Sequence, residues 1–157
     1  MMASTGDGRL WSVVMKINPA LRQFNYPGDY PRVLALWENA GHGIHVRRSD
    51  QPAEIEKKLH RDPDLFLVAE LDGCIIGAVM GGYDGRRGLV YHLAVSPPYR
   101  HAGLGATLMA ELERRLQAKG CIRCYLLVTK DNETAVRFYE HSGWELMDLH
   151  LYAKDLD

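Results

Sequence analysis

The chain of 157 residues lacks the features that mark membrane-bound, exported or disordered proteins. No apolar run approaches the roughly 20 residues that a membrane-spanning helix needs. The opening segment MMASTGDGRLWSVVMK has neither the basic start nor the long apolar stretch of a signal peptide. With 15 glycines and 7 prolines, the composition gives no indication of disorder. We therefore expect a folded cytoplasmic protein with no membrane partner.

Cysteine is scarce: Cys74, Cys121 and Cys124 are the three in the sequence. An odd number without an export signal argues against a disulfide framework. Cys121 and Cys124 form a CxxC pair, but no second Cys/His pair follows at the spacing of a zinc finger, and a thioredoxin-type pair would open a helix rather than follow one. We expect neither a metal site nor a redox centre.

An excess of charge is also missing, because 19 basic and 20 acidic residues give a net charge of -1. The sequence has no basic stripe with interleaved aromatic residues, which excludes nucleic acid as an expected partner. Any anion site must therefore be local. The length fits one domain, and we assign residues 1–18 to an N-terminal extension that could form a strand and residues 19–157 to a single domain.

Helical and strand patterns alternate along the chain. In the first half we predict a strand at 21–25, a helix at 30–39 capped by Asp29, a loop at 41–52 and a short helix at 54–60. Two β-rich runs, Leu65 to Leu71 and Cys74 to Tyr83, flank Asp72-Gly73, the turn pair favoured in tight hairpins.

The second half continues the alternation. It contains a strand at 89–95, a helix from Leu104 with a leucine at every fourth position, a strand at 124–128 and a helix that Asp131 or Asn132 caps. The segment from Trp144 to Leu156 predicts one or two last strands. A hairpin together with a strand–helix–strand unit predicts a mixed α/β fold.

The segment VSPPYRHAGLGATL, residues 95–108, joins a strand to a helix. A helix that begins at Gly103 or Leu104 has unpaired N–H groups and partial positive charge at its first turn, which stabilise an anion. Gly103 and Gly105 let a phosphate approach the backbone, because neither carries a Cβ. Arg100 and His101 add side-chain donors. The segment therefore predicts a turn that wraps a phosphate or diphosphate.

Two common phosphate motifs do not fit this turn. The GxxxxGK[ST] pattern of nucleotide-hydrolysing loops does not occur, and Gly103-Leu104-Gly105 is followed by Leu108 where a dinucleotide-binding loop has its third glycine. A plain tight turn entering a surface helix is the alternative. Arg100, with a strand before the turn and a helix after it, favours the phosphate interpretation.

The segment RHAGLG, Arg100 to Gly105, resembles the Arg/Gln-x-x-Gly-x-Gly/Ala loop of the GCN5-related N-acetyltransferases (GNAT). The preceding LAVSPPYR is similar to the fourth strand of that family and its exit. NETAVRFYEHSGW, Asn132 to Trp144, resembles its Asn-x-x-Ala-x-x-x-Tyr-Glu-x-x-Gly-Phe segment, with tryptophan at the aromatic position. The resemblance covers residues 65–156 well and 21–60 loosely, and is greatest to a bacterial branch similar to the ribosomal-protein alanine acetyltransferases.

This resemblance implies a GNAT-type fold, a mixed and mostly antiparallel sheet with helices on both faces. It implies acetyl-CoA as cosubstrate, with the pantetheine arm between the splayed fourth and fifth strands. The backbone of Leu93 and Val95 would then bind the arm, and Asn132 would contact it besides capping its helix. The diphosphate would lie on the loop residues Arg100, His101, Ala102, Gly103, Leu104, Gly105 and Ala106.

The implied reaction moves an acetyl group to a primary amine by direct attack in a ternary complex. Tyr139 resembles the general acid of the family: a phenol of pKa about 10 keeps its proton at neutral pH and can pass it to a thiolate whose conjugate acid has a pKa of about 8.5. A core tyrosine on its helix is the alternative.

The general base cannot be carried over, because Leu89 and Leu127 stand where some relatives have a strand glutamate. His92 is the remaining candidate on the fourth strand. A histidine satisfied within the core and a chain of waters are alternatives, and Asp84 or Glu70 could hold the amine.

A non-catalytic acyl-CoA sensor is the alternative function, motivated by the missing strand carboxylates. Protein N-terminus, lysine side chain and small polyamine all remain open as the acceptor. An edge strand or the N-terminal segment could pair with a second copy to form a homodimer.

Overall fold

The computed structural model describes residues 16–156, which form five strands and four α-helices. In chain order these are β1 (Ala20–Gln23), α1 (Tyr30–Glu38), α2 (Pro52–Arg61), β2 (Phe66–Leu71), β3 (Cys74–Tyr83), β4 (Gly88–Val95), α3 (Leu104–Ala118), β5 (Cys124–Leu126) and α4 (Glu133–His141). Short 3-10 turns occupy Arg48–Asp50, Pro63–Leu65 and Pro97–Tyr99. No helix in residues 16–156 has the length and apolar character needed to cross a membrane.

The five strands form one sheet in the order β1-β2-β3-β4-β5. The first three pairs are antiparallel and β4–β5 is parallel, which confirms the predicted mixed, mostly antiparallel sheet. The β2–β3 hairpin turns through Asp72 and Gly73, with φ of 50° and 78°. Both values lie in the left-handed region that a two-residue type I′ turn requires, which is why Asp-Gly predicted this hairpin correctly.

Helices cover both faces of the sheet, as the family resemblance implied. Alternate β2 residues belong to different cores, because successive strand side chains point to opposite faces: Leu67 packs with α3, whereas Phe66 packs with α1 and α2. The leucines that repeat every four residues along α3 are all buried. They lie so close to β3 that an added Cβ on Gly81 would be 2.8 Å from Leu112 Cδ1.

Asp29 stands at the N-cap position of α1, but its side chain does not cap the helix. Its carboxylate accepts hydrogen bonds of 2.6 Å from Arg22 and Arg32 and one of 2.7 Å from the backbone N–H of Asn25. The hydrogen bond from Arg22 is the main cause that lowers the pKa of Asp29 to about 2. Instead of capping α1, Asp29 is a buried carboxylate that forms ion pairs with the partly exposed Arg22 and Arg32.

The prediction of one or two strands after Trp144 is wrong, because no strand occurs in residues 144–156. A strand needs a neighbouring ladder, and β5, the sheet edge on that side, ends at Leu126, two residues earlier than predicted. Leu146, Leu149 and Leu151 are accordingly exposed. The predicted N-terminal strand lies almost entirely outside the described residues, and the single-domain assignment stays a prediction.

Candidate active site

The site begins where β4 and β5 separate. The two strands pair only from Gly88 opposite Cys124 to Val90 opposite Leu126, whereas β4 continues to Val95. A cleft of about 1510 Å³ lies over this opening. Small-molecule pockets usually measure roughly 300–1,000 Å³, so the cleft has room for a ligand longer than a typical metabolite.

A β-bulge interrupts β4 in the middle of the cleft wall. Ala78 lies opposite Ala94 and Met80 opposite Tyr91, so that His92 and Leu93 together face the single residue between them on β3. His92 has a φ of 46°, a left-handed conformation that is unusual for a residue with a side chain. Bulges redirect side chains and are common beside active sites. Here the bulge places His92 and Leu93 among the residues that line the cleft.

The loop after β4 leaves a row of backbone N–H groups without partners. His101 and Gly103 have φ of 63° and 80°, and the first backbone bond of α3 runs from Thr107 N to Gly103 O at 3.0 Å. Among the described residues, none accepts a hydrogen bond from the backbone N–H groups of residues 101–106. The donors of residues 103–106 belong to the N-cap and first turn of α3, where free N–H groups favour an anion, and those of residues 101 and 102 extend the row into the loop.

All but one of the seven predicted loop residues line the cleft. The exception is Ala102, which lines a small cavity beside Ile17 and Pro19. Gly105 lies close to α4, since an added Cβ would be 3.4 Å from Phe138 Cζ.

Arg100 fixes the loop to its surroundings. Its Nε donates to the Val95 carbonyl at 3.0 Å and its Nη2 donates to the Ala40 carbonyl at 2.9 Å. A guanidinium carries five N–H donors, so three remain for an anion. Arg100 therefore connects the end of β4 to the loop after α1. The Val95 carbonyl accepts a hydrogen bond in this connection.

Tyr139 on α4 also lines the cleft. Its ring lies 5.1 Å from that of Phe138 and 6.0 Å from that of Trp144, measured between centroids. Burial alone raises the pKa of Tyr139 to about 12, and the hydroxyl has no hydrogen-bond partner among the described residues. The phenol is therefore a protonated donor with no competing acceptor. The backbone N–H of Trp144 donates to the Tyr139 carbonyl at 3.0 Å, a contact that follows the last turn of α4.

Asn132 confirms its predicted role as a helix cap, because its Oδ1 accepts a hydrogen bond of 3.2 Å from Ala135 N. The other side of its amide faces the loop after α1, where an added Cβ on Gly43 would be 2.5 Å from Asn132 Nδ2. Asn132 lines the cleft as well. Its predicted contact with a coenzyme stays a prediction.

His92 has a partner that the sequence did not reveal. Its Nε2 lies 2.9 Å from Oδ1 of Asp50, a residue that is 2% exposed. Asp50 follows a loop-like stretch, 42 residues before His92 in the chain, and no local pattern connects the two. The ring of Trp37 lies 4.8 Å from that of His92.

Asp84 and Glu70, considered as holders of the amine, lie elsewhere. Asp84 accepts backbone hydrogen bonds from Arg86 and Arg87 in the β3–β4 turn. Glu70 forms an ion pair with Arg22 beside β1. Neither residue lines the cleft, and of the two leucines at the absent glutamate positions, Leu127 lines it and Leu89 does not.

The described residues that line the cleft carry positive charge. Asp50 is the one carboxylate among them, and its Oδ1 contacts Nε2 of His92. The lysines and arginines that line it are Arg47, Lys58, Arg100, Lys130 and Arg137. In a chain of net charge -1, this concentration favours an anionic ligand in the cleft.

Known proteins match this chain over most of its length. The family model described as the acetyltransferase (GNAT) family matches residues 30–144. An acetyltransferase of Pectobacterium atrosepticum is 42% identical over 128 residues, which cover 82% of this chain and 89% of the relative. An acetyltransferase of Yersinia pestis is 41% identical over the same shares of the two chains.

Two solved structures share the fold. The PaiA N-acetyltransferase of Thermoplasma acidophilum in complex with coenzyme A has a TM-score of 0.74 and 21% identity, covering 85% of this chain and 94% of its own. Ard1 of Thermoplasma volcanium has a TM-score of 0.73 and 23% identity, covering 83% and 85%. These matches confirm the fold and family recognised from the loop and the α4 segment: the chain belongs to the GNAT family of acetyltransferases.

Proposed function

We propose that this protein transfers the acetyl group of acetyl-CoA to a primary amine by direct attack within a ternary complex. The observation that carries the proposal is the row of six unpartnered backbone N–H groups at residues 101–106. All of these residues except Ala102 line the cleft that lies over the opening between β4 and β5. A diphosphate supplies acceptors for these donors, and the dipole of α3 adds further stabilisation. The coenzyme A complex of a structural neighbour supports the same choice of ligand.

The pantetheine arm would follow the edge of β4 that β5 leaves unpaired beyond Val90. Backbone groups of Leu93 and Val95 would bind the arm, with the Val95 carbonyl already accepting one hydrogen bond from Arg100. This path leads from the loop at residues 101–106 towards His92 and Tyr139, which line the same cleft. The thioester would therefore lie between the imidazole and the phenol.

The chemistry needs few side chains, because a thioester is already reactive. The amine must be neutral when it attacks, the carbonyl oxygen must be stabilised as it gains charge, and the sulfur must leave. We assign the removal of the amine proton to His92, directly or through one water. Backbone N–H groups of β4 near the bulge would stabilise the oxyanion.

Tyr139 would donate its O–H to the departing sulfur. With the pKa of Tyr139 at about 12 and that of a thiol at about 8.5, complete transfer of the proton is uphill by about 5 kcal/mol. The sulfur therefore leaves as a thiolate that the phenol stabilises by a hydrogen bond. Because burial keeps the phenol protonated, the donor is present throughout the neutral and moderately basic range.

Calorimetry with coenzyme A and with pantetheine tests the ligand assignment. We expect coenzyme A to bind at least about tenfold more tightly, since pantetheine lacks the diphosphate. Gly105→Val, which adds bulk inside the cleft, should weaken coenzyme A binding by a similar factor. Ala110→Val places the same side chain on an exposed position of α3 and should leave binding unchanged. Absence of heat with coenzyme A would refute the proposal.

Release of free thiol from acetyl-CoA, measured across peptides, lysine derivatives and polyamines, tests turnover. We expect at least one primary amine to accelerate release. Binding of coenzyme A without release by any amine in the panel would favour the sensor alternative. A cytoplasmic location belongs to the same proposal, because acetyl-CoA is a metabolite of the cell interior.

A further inference from the structure

The carboxylate of Asp50 divides its two oxygens between the loop and the cleft. Oδ2 accepts a hydrogen bond of 2.8 Å from the backbone N–H of Arg47, and Oδ1 lies 2.9 Å from Nε2 of His92. The backbone carbonyl of Asp50 accepts a further bond of 3.0 Å from the Tyr30 hydroxyl. Three elements therefore hold Asp50 in place, and its side chain is 2% exposed.

The loop alone does not explain an aspartate at this position. To accept the bond from Arg47 N, one oxygen of an asparagine or serine would be enough. A buried carboxylate is costly unless both oxygens have partners. The second oxygen, Oδ1, instead contacts the imidazole of His92, which lines the cleft. The bulge in β4 and the φ of 46° hold His92 in that position.

We infer that Asp50 is a positioning residue that fixes the tautomer of His92 in the proposed reaction. A carboxylate can only accept a hydrogen bond from a neutral imidazole, so Nε2 carries the proton and Nδ1 keeps its lone pair. Nδ1 has no hydrogen-bond partner among the described residues. It is therefore the ring nitrogen that can take a proton from the amine. The inference rests on the proposed function.

Asp50→Asn tests this inference, because the amide has one acceptor and one donor end. Arg47 N requires the amide oxygen, so the amide nitrogen faces Nε2 of His92. Nε2 must then accept, and the proton moves to Nδ1. The variant keeps the loop bond but blocks the base, and we expect kcat to fall by a factor on the order of 10²–10⁴.

Asp50→Ala is the matched variant, since it removes the loop bond but leaves the imidazole free to take either tautomer. We expect Asp50→Ala to retain a higher kcat than Asp50→Asn, although its free energy of unfolding is lower. A merely structural role predicts the opposite order, with alanine as the more damaging change. Coenzyme A affinity should stay within about twofold of the wild type in both.

Nitrogen-15 NMR of the His92 ring, at a pH where imidazoles are neutral, reports the tautomer without any acceptor substrate. We expect Nε2–H in the full-length wild type and Nδ1–H in Asp50→Asn. A wild type with Nδ1–H, or an Asp50→Asn variant that keeps Nε2–H, would overturn the inference. Normal coenzyme A binding in the same sample separates this result from a failure of the proposed function.

Discussion

The hydroxyl of Tyr139 offers the most direct test of the chemistry, and Tyr139→Phe removes it alone. The ring contacts with Phe138 and Trp144 do not involve the hydroxyl, and the hydroxyl has no hydrogen-bond partner among the described residues. Removing one donor aimed at developing charge typically costs about 2.7–4 kcal/mol. We therefore expect kcat to fall by a factor on the order of 10²–10³, with coenzyme A affinity within about twofold of the wild type.

The assay is steady-state thiol release with acetyl-CoA and an accepted amine, together with calorimetry of coenzyme A. A kcat within about twofold of the wild type would show that the phenol does not assist the departing sulfur. A large loss of coenzyme A affinity would instead make Tyr139 a binding group. Either result would refute the reasoning from the free, protonated hydroxyl.

The pKa of Tyr139 provides an independent check on its burial. The folded-state pKa of about 12 lies above the unfolded value of about 10. The folded state therefore holds the proton longer as pH rises, and stability that is complete below about pH 10 is lost progressively above it. Urea unfolding at about pH 9 and pH 11 should show roughly 1 kcal/mol less loss in Tyr139→Phe than in the wild type. Equal losses would mean that the phenol is more hydrated than the structure indicates.

Two further predictions concern stability, measured by urea unfolding. Gly81→Ala should lower the free energy of unfolding by about 1–3 kcal/mol, because its Cβ would be 2.8 Å from Leu112 Cδ1. Gly82→Ala is the control, since a Cβ there would meet one atom of Tyr91 at an ordinary 3.7 Å. Equal effects of the two alanine variants would contradict the packing of α3 on β3. Asp29→Asn should cost about 2–3 kcal/mol at neutral pH, the free energy that corresponds to the lowered pKa of Asp29. Because the pKa of Asp29 is lowered to about 2 from 3.8, this contribution to stability is present above about pH 4 and lost as pH falls towards 2. If Asp29→Asn were as destabilised at about pH 2 as at neutral pH, the ion pair with Arg22 would not be the source of the effect.

The sequence determined those parts of the protein whose signals are local. Asp72-Gly73 predicted the hairpin because its φ angles are intrinsic to that pair. Leucines at every fourth position predicted the buried face of α3, and the glycines of RHAGLG predicted a loop whose amides stay free. The family followed from the same local patterns, since two separate motifs occur in the expected order.

Only the tertiary structure decided the features that join distant residues. Asp29 had the local pattern of a helix cap, but Arg22 and Arg32 compete for its carboxylate with charged hydrogen bonds. The prediction of strands after Trp144 was wrong, because a strand-like pattern in the sequence does not provide a neighbouring strand to pair with. β5 is too short to be that neighbour. The bulge in β4 depends on its register against β3. The contact between Asp50 and His92 joins residues that are 42 positions apart in the chain, and the local sequence around either residue does not predict it.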